Sequence, residues 1–230
     1  MKNKIEYYVI NMDKDVNRLE TFSSNMKKQN LNFSRHVGPL IETKHITFND
    51  RTYRVYARGY VGVALAHLTL WQKISTMNND LLINVFEDDE VIKENYEENI
   101  NKELNKINYS FDFFNLSVIR PMGLEVQPGI LKINSKNIGS SDPNIWLSNY
   151  IITPEGARKI LSFFSYEVKN INKNFDRVIV RILHKHCDAI QSYVLEAREK
   201  YSFHYEKESS KKDINEHNIL FKIIKLIKGR

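Results

Sequence analysis

Short apolar runs of strand length alternate along this chain with stretches of helical period, and one of the runs leads directly into four acids. Ile5–Asn11, Leu81–Phe86, Phe111–Leu116, Asn149–Thr153 and Ala189–Val194 are short and apolar, and fit buried strands better than core helices. Between them, Asp15–Asn30 carries Val16, Leu19, Phe22 and Met26 at helical spacing. Gly59–Met77 carries Val63, Ala66, His67, Leu70, Trp71 and Ile74 on one face. Further helices are predicted over Tyr96–Ile107, Pro154–Phe164 and Asp176–His186, with Pro154 at a first helical position. Leu31–Val37 reads as a second short strand, and Ile46–Tyr56 as a hairpin or an irregular excursion. Leu124–Ile133 reads as a hairpin broken at Pro128-Gly129. Strands alternating with helices predict an α/β fold with a mostly parallel sheet flanked by helices on both faces.

A chain of 230 residues suits one such domain, and residues 1–200 are expected to form it. Residues 201–230 are expected to be a polar excursion followed by a basic amphipathic tail. The lone cysteine, Cys187, excludes an intrachain disulfide framework and a cysteine-based zinc cluster, and suits a reducing compartment. No apolar run reaches membrane-spanning length. The start of the chain lacks the apolar stretch of a signal peptide, so a cytoplasmic protein is expected. Net charge is +6, but the segment from Lys211 to Arg230 alone holds six basic and two acidic residues. The remaining body is close to neutral, so no nucleic-acid-binding face is expected.

In open α/β sheets, ligands sit beyond the carboxyl ends of the strands. Leu81-Leu82-Ile83-Asn84-Val85-Phe86 delivers Glu87-Asp88-Asp89 to that place. Adjacent carboxylates repel one another unless a cation joins them. Mg²⁺ and Mn²⁺ prefer oxygen ligands and bridge one or two carboxylates to substrate phosphates. A diphosphate bound there becomes a better leaving group. The competing reading is a solvated acidic turn that caps a following helix.

The order of motifs resembles glycosyltransferase family 25. Tyr8-Val9-Ile10-Asn11-Met12-Asp13 with Arg18 is similar to the family's opening strand, Asn-Leu-Asp and arginine. Arg58 to Trp71 resembles its Gly-x-x-Gly-Cys-x-x-Ser-His-x-x-x-Trp helix, with Val63 and Ala66 at the cysteine and serine positions. Val85-Phe86-Glu87-Asp88-Asp89 resembles its Leu-Glu-Asp-Asp strand end. Asn149 to Ala157 resembles its Tyr-Ile-Ile-Ser-x-x-Gly-Ala segment, and Phe175-Asp176 the Val-Asp that follows. The resemblance implies a Rossmann-like GT-A-type fold, a nucleotide-sugar donor such as UDP-galactose, a divalent cation (Mn²⁺ or Mg²⁺) and inversion at the anomeric carbon.

Candidate roles follow from chemistry and resemblance together. Asp88 and Asp89 are expected at the metal and the donor's ribose or phosphates, with Glu87 a structural or supporting member of the metal group. Asn11 can read a uracil edge through its amide, against a plain strand-end turn role. Arg18 can brace a diphosphate, against a solvated helix charge. Asp176 is the candidate base for the acceptor hydroxyl, against an ordinary helix cap, with Asp142 as the alternative. His204 is a candidate for completing the metal shell, against an exposed loop histidine. His67 is expected in the core, fixing the acidic strand end from below, and Trp71 is expected to be core.

The segment Ile219 to Lys228 sets lysines at every third position among bulky apolar residues. Such a helix either lies on an anionic membrane surface, here the inner face of the cytoplasmic membrane, or docks on the body or on a second copy. The leading expectation is therefore a metal-dependent hexosyltransferase, a galactosyltransferase first, acting on a saccharide or glycolipid acceptor in lipooligosaccharide or other surface-glycan synthesis. The alternative is a catalytically silent protein of the same fold that scaffolds a glycan assembly complex.

Overall fold

Ile5–Asn11 forms the first strand, β1, whose burial deepens toward its carboxyl end. The structure, a computed structural model, describes residues 4–48, 51–55, 58–118, 121–134, 147–170, 178–196 and 201–204. After β1 come α1 (Val16–Lys28), β2 (Ser34–Val37), a hairpin of β3 (His45–Phe48) and β4 (Arg51–Arg54), and α2 (Arg58–Ile74). Next are β5 (Leu82–Glu87), β6 (Glu90–Ile92), α3 (Tyr96–Lys106), β7 (Phe113–Asn115), β8 (Leu124–Gln127) and β9 (Ile130–Lys132). The described chain continues with β10 (Asn149–Ile152), α4 (Pro154–Asn170), α5 (Val178–Lys185), β11 (Ser192–Leu195) and β12 (Ser202–His204).

The main sheet has eight strands in the order β2-β1-β5-β10-β7-β11-β9-β8. β10 and β9 run against the rest, so most strands point one way while the pairing is mixed. Alternating residues of each strand serve opposite faces. Tyr8, Ile10, Ile83, Val85 and Ile152 face α2, α4 and α5. Tyr7, Val9, Phe86, Phe114 and Ile151 face α1 and α3. This is the expected α/β arrangement, a sheet flanked by helices on both faces, with β5 inside the sheet and its acidic end at the carboxyl edge.

Local chemistry explains several boundaries. Asn30, at φ 56°, adopts the left-handed conformation that ends α1, and Gly129, at φ 79°, turns the β8–β9 hairpin. α4 runs on to Asn170 rather than stopping near Phe164, because Ser165–Asn170 contains no helix breaker. Two strands were not legible. β6 begins one turn after β5, where the sequence suggested a helix cap, and it pairs antiparallel with β12. Ser202–His204, beyond the expected boundary at residue 200, is thereby tied to the body. Asp142, Asp176 and the basic segment 219–228 lie outside the described residues. Among the described residues, no helix is long and apolar enough to cross a membrane.

Candidate functional site

β1 and β5 run parallel with Ile10 opposite Glu87, so Asn11 ends one strand beside the acidic end of the other. Strand alternation then sorts the acids. Glu87 shares the face of Val85 and turns toward α2. Asp88 shares the face of Phe86 and turns toward α1.

Asn11 is buried, and its amide is fully engaged within the protein. Nδ2 donates to Asp88 Oδ2 at 2.7 Å and to the Asp15 carbonyl at 3.0 Å. Oδ1 accepts from Arg35 Nε at 2.9 Å, and Arg35 also pairs with Asp13 at 2.7 Å. Asn11 therefore orients Asp88. Nothing in the sequence pointed to Arg35, whose role comes only from the parallel pairing of β1 with β2.

Arg18 lies in the first turn of α1, with Nη1 3.3 Å from Asp88 Oδ1 and 3.7 Å from Asp89 Oδ2. It is the cation that the crowded acids require. A guanidinium in a first helical turn is misplaced with respect to the helix dipole, and the two carboxylates compensate for it. Burial works against its charge, but Asp88 and Asp89 hold Arg18 above its ordinary value. Burial also pushes the Asp88 carboxyl up, and the bond from Asn11 and the charge of Arg18 offset only part of that rise.

On the other face, Glu87 meets His67. One assignment of the protons gives every donor in this group a partner. Trp71 Nε1–H can only donate, and it lies 2.8 Å from the Tyr150 hydroxyl. Tyr150 in turn lies 2.9 Å from His67 Nδ1 and spends its own proton there. That leaves the proton of His67 on Nε2, 3.4 Å from Glu87 Oε1. Burial above all, with the Glu87 charge adding to it and the Trp71 bond opposing, holds the Tyr150 hydroxyl well above its usual range, so it stays protonated. His67 thus supports the acidic strand end from the core, as expected, and Trp71 is fully buried.

Beneath the acidic turn lies a second buried network that the sequence did not disclose. Tyr96 donates to Asn84 at 2.8 Å, Asn84 to Asn149 at 2.8 Å, and Asn149 to Ser202 at 3.2 Å. Ser202 donates to the Glu90 carboxylate. The one signal was Asn84, a polar residue inside an apolar strand. The network holds β5, β10, α3, β12 and β6 together. In the β6–β12 register His204 stands opposite Glu90, the residue after Asp89, so the backbone brings this late histidine to the acidic turn.

Asp88 and Asp89 converge on one positive charge, Arg18, and their oxygen donors suit a hard dication in the same place. Glu87 stands apart from them, on His67. Among the described residues, no three His, Cys, Asp or Glu side chains are grouped to hold a metal ion.

The profile of glycosyltransferase family 25 (LPS biosynthesis protein) matches residues 4–179. No curated protein matches the chain. Solved structures similar to it include A197 from STIV, at 13% identity over 89% of this chain and 87% of that one, with a TM-score of 0.45. A glycosyltransferase involved in glycosylation of the major capsid of PBCV-1 is 10% identical over 84% of this chain and 82% of that one, with a TM-score of 0.43. The apo-form glycosyltransferase GlyE of Streptococcus pneumoniae TIGR4 is 11% identical over 85% of this chain and 46% of that one, with a TM-score of 0.42.

Proposed function

The chain belongs to glycosyltransferase family 25, and on that premise we propose that it moves a hexose, galactose first, from a UDP-sugar to a saccharide or glycolipid acceptor with inversion and with help from a divalent cation. The observation that carries this reading is the pair Asp88 and Asp89 at the carboxyl end of β5, converging on a single cationic position.

In this reading Asp89 and Asp88 would hold the cation, with Glu87 behind them on His67 and His204 brought to the acidic turn by the β6–β12 register. When bound, Mn²⁺ or Mg²⁺ would supply charge neutralisation at the donor diphosphate. Asn11 keeps Asp88 aimed at the site. Arg18 braces the diphosphate as negative charge develops on the leaving group. Asp176, or Asp142, takes the proton of the acceptor hydroxyl as that oxygen attacks the anomeric carbon. The carbon–oxygen bond to the diphosphate breaks in the same displacement, and UDP leaves with the electron pair.

Calorimetric titration of UDP with and without Mn²⁺, followed by a hydrolysis screen of UDP-sugars, tests the proposal. Binding strengthened by Mn²⁺ together with hydrolysis of UDP-galactose is expected. Absence of UDP binding under both conditions would overturn it and favour the silent scaffold. Flotation on anionic liposomes, with and without residues 215–230, tests attachment through the tail.

A further inference from the structure

We propose that Arg18 is an exchangeable counter-ion: it occupies the cation position between Asp88 and Asp89 in the resting protein and yields it when a divalent cation arrives with the donor, moving onto the diphosphate. The inference rests on the metal-assisted reading above and concerns how that site is kept closed to a bare cation.

Three observations carry it. First, the two contacts made by Arg18 are long. Charge-assisted pairs close to about 2.7–2.9 Å, whereas Nη1 stands 3.3 Å from Asp88 and 3.7 Å from Asp89. One nitrogen is shared between two acids and grips neither in the bidentate manner of a fixed guanidinium. Second, the acid is held independently of the arginine. The 2.7 Å bond from Asn11 reaches Asp88 Oδ2, whereas Arg18 reaches Oδ1. Third, 28% of the Arg18 side chain is exposed, against 8% for Asp88 and 14% for Asp89. The carboxylates are enclosed, and the guanidinium is the more exposed partner.

Charge arithmetic gives the order of events. While the guanidinium stays close to the carboxylate oxygens, its charge opposes the approach of a dication to them. Like charges a few ångströms apart in a half-buried site repel strongly. A nucleotide-sugar diphosphate brings two negative charges. It supplies oxygen ligands to the dication and a new partner to the displaced guanidinium at once. Bare cation is therefore bound weakly, and cation with nucleotide is bound well.

Titration of Mn²⁺ followed by the loss of its free-ion electron paramagnetic resonance signal, with and without UDP, reads this directly and needs no turnover. Wild-type protein should bind Mn²⁺ weakly alone and at least about tenfold more tightly with UDP present. Arg18→Gln should bind Mn²⁺ alone about tenfold more tightly than wild type, and should lose about tenfold in affinity for UDP at saturating Mn²⁺. Equal Mn²⁺ affinity in wild type and Arg18→Gln, with UDP still promoting binding in wild type, would overturn the exchange and leave the transferase reading standing. No Mn²⁺ binding by wild type even with UDP would overturn the metal-assisted reading and the exchange with it. Arg18→Lys covers the case in which Arg18→Gln does not fold. A lysine retains the charge but not the fork, so Mn²⁺ affinity should stay within threefold of wild type while UDP affinity falls. Unchanged UDP affinity in Arg18→Lys would count against the transfer of the guanidinium to the diphosphate.

Discussion

Asn11 on β1 and Asp88 just beyond β5 meet across the carboxyl ends of two parallel strands, with 2.7 Å between the amide Nδ2 and the carboxylate Oδ2. The bond is a neutral donor on a buried carboxylate, and it fixes the acid without cancelling its charge. Replacing the donor by a third acid should therefore be worse than deleting it. Asn11→Ala should remove about 1.5–3 kcal/mol of stability, the range for a hydrogen bond to a charged group. Asn11→Asp should lose more, lowering Tm by about 5–10 °C at neutral pH. Differential scanning calorimetry of both variants checks this. A Tm for Asn11→Asp equal to that of wild type would remove Asn11 from the organisation of the site.

The chain from Trp71 through Tyr150 and His67 to Glu87 makes a prediction about a proton. Tyr150→Phe deletes the acceptor of the Trp71 N–H and the donor to His67 Nδ1 in one step. A buried N–H left without a partner costs about 1–3 kcal/mol. His67 also loses the group that holds its proton on Nε2. The variant should be less stable by about that amount. The histidine ¹⁵N chemical shifts should change from those of a single tautomer to those of a mixture. Shifts identical to wild type would show that Tyr150 does not set the state of His67.

Much of this arrangement was legible in the sequence, and the gaps have physical causes. β1 runs from Ile5 to Asn11 as read, because Ile5, Tyr7, Tyr8, Val9 and Ile10 suit a buried strand and Met12-Asp13 ends it. α1, α2 and α3 keep their helices with ends shifted by a few residues. The direction of β10 was not legible. A strand buried on both faces reads the same parallel or antiparallel. β6 was missed because a three-residue strand carries no periodicity, and its partner β12 lies over 100 residues away. At the site, the sequence points to Asp88, Arg18 and Asn11, and the structure brings Asn11 and Arg18 together on Asp88. Arg35, Glu90 and Asn149 act through long-range contacts, which no local pattern announces.

Gly156 accounts physically for one of the family motifs. It lies in the first turn of α4 against the start of β7, where an added Cβ would run into the backbone carbonyl of Asp112. Ala157 beside it is fully buried. The Gly-Ala pair thus lets the helix approach the sheet closely and need not touch a ligand. Gly156→Ala should destabilise by about 3 kcal/mol or more, because backbone on backbone has no rotamer to relieve it. Gly59→Ala, where a Cβ meets nothing within 4 Å, should stay within about 0.5 kcal/mol of wild type or gain slightly. Urea denaturation of the two variants side by side tests the assignment, and equal midpoints would refute it.

Glu167 gives the pH dependence a clear sign. Only 1% of its side chain is exposed, with Lys185 Nζ at 3.2 Å and His186 Nε2 at 3.1 Å, and the His186 ring stacks on Phe163 with centroids 4.0 Å apart. Burial works to raise the carboxyl, but the bonds and charges of His186 and Lys185 outweigh it and hold Glu167 below its ordinary 4.5. A depressed carboxyl stabilises the fold above the unfolded value and ceases to do so as the pH falls through the folded one. Glu167→Gln should therefore cost about 1–2 kcal/mol at pH 7, discounted for the half-exposed lysine. That difference from wild type should persist down to about pH 5 and shrink as the pH is taken below 4.5. Urea titrations of both proteins between pH 5 and pH 3.5 follow it, and a gap that widened over that range would reverse the sign and exclude the ion pair as the source of the stabilisation.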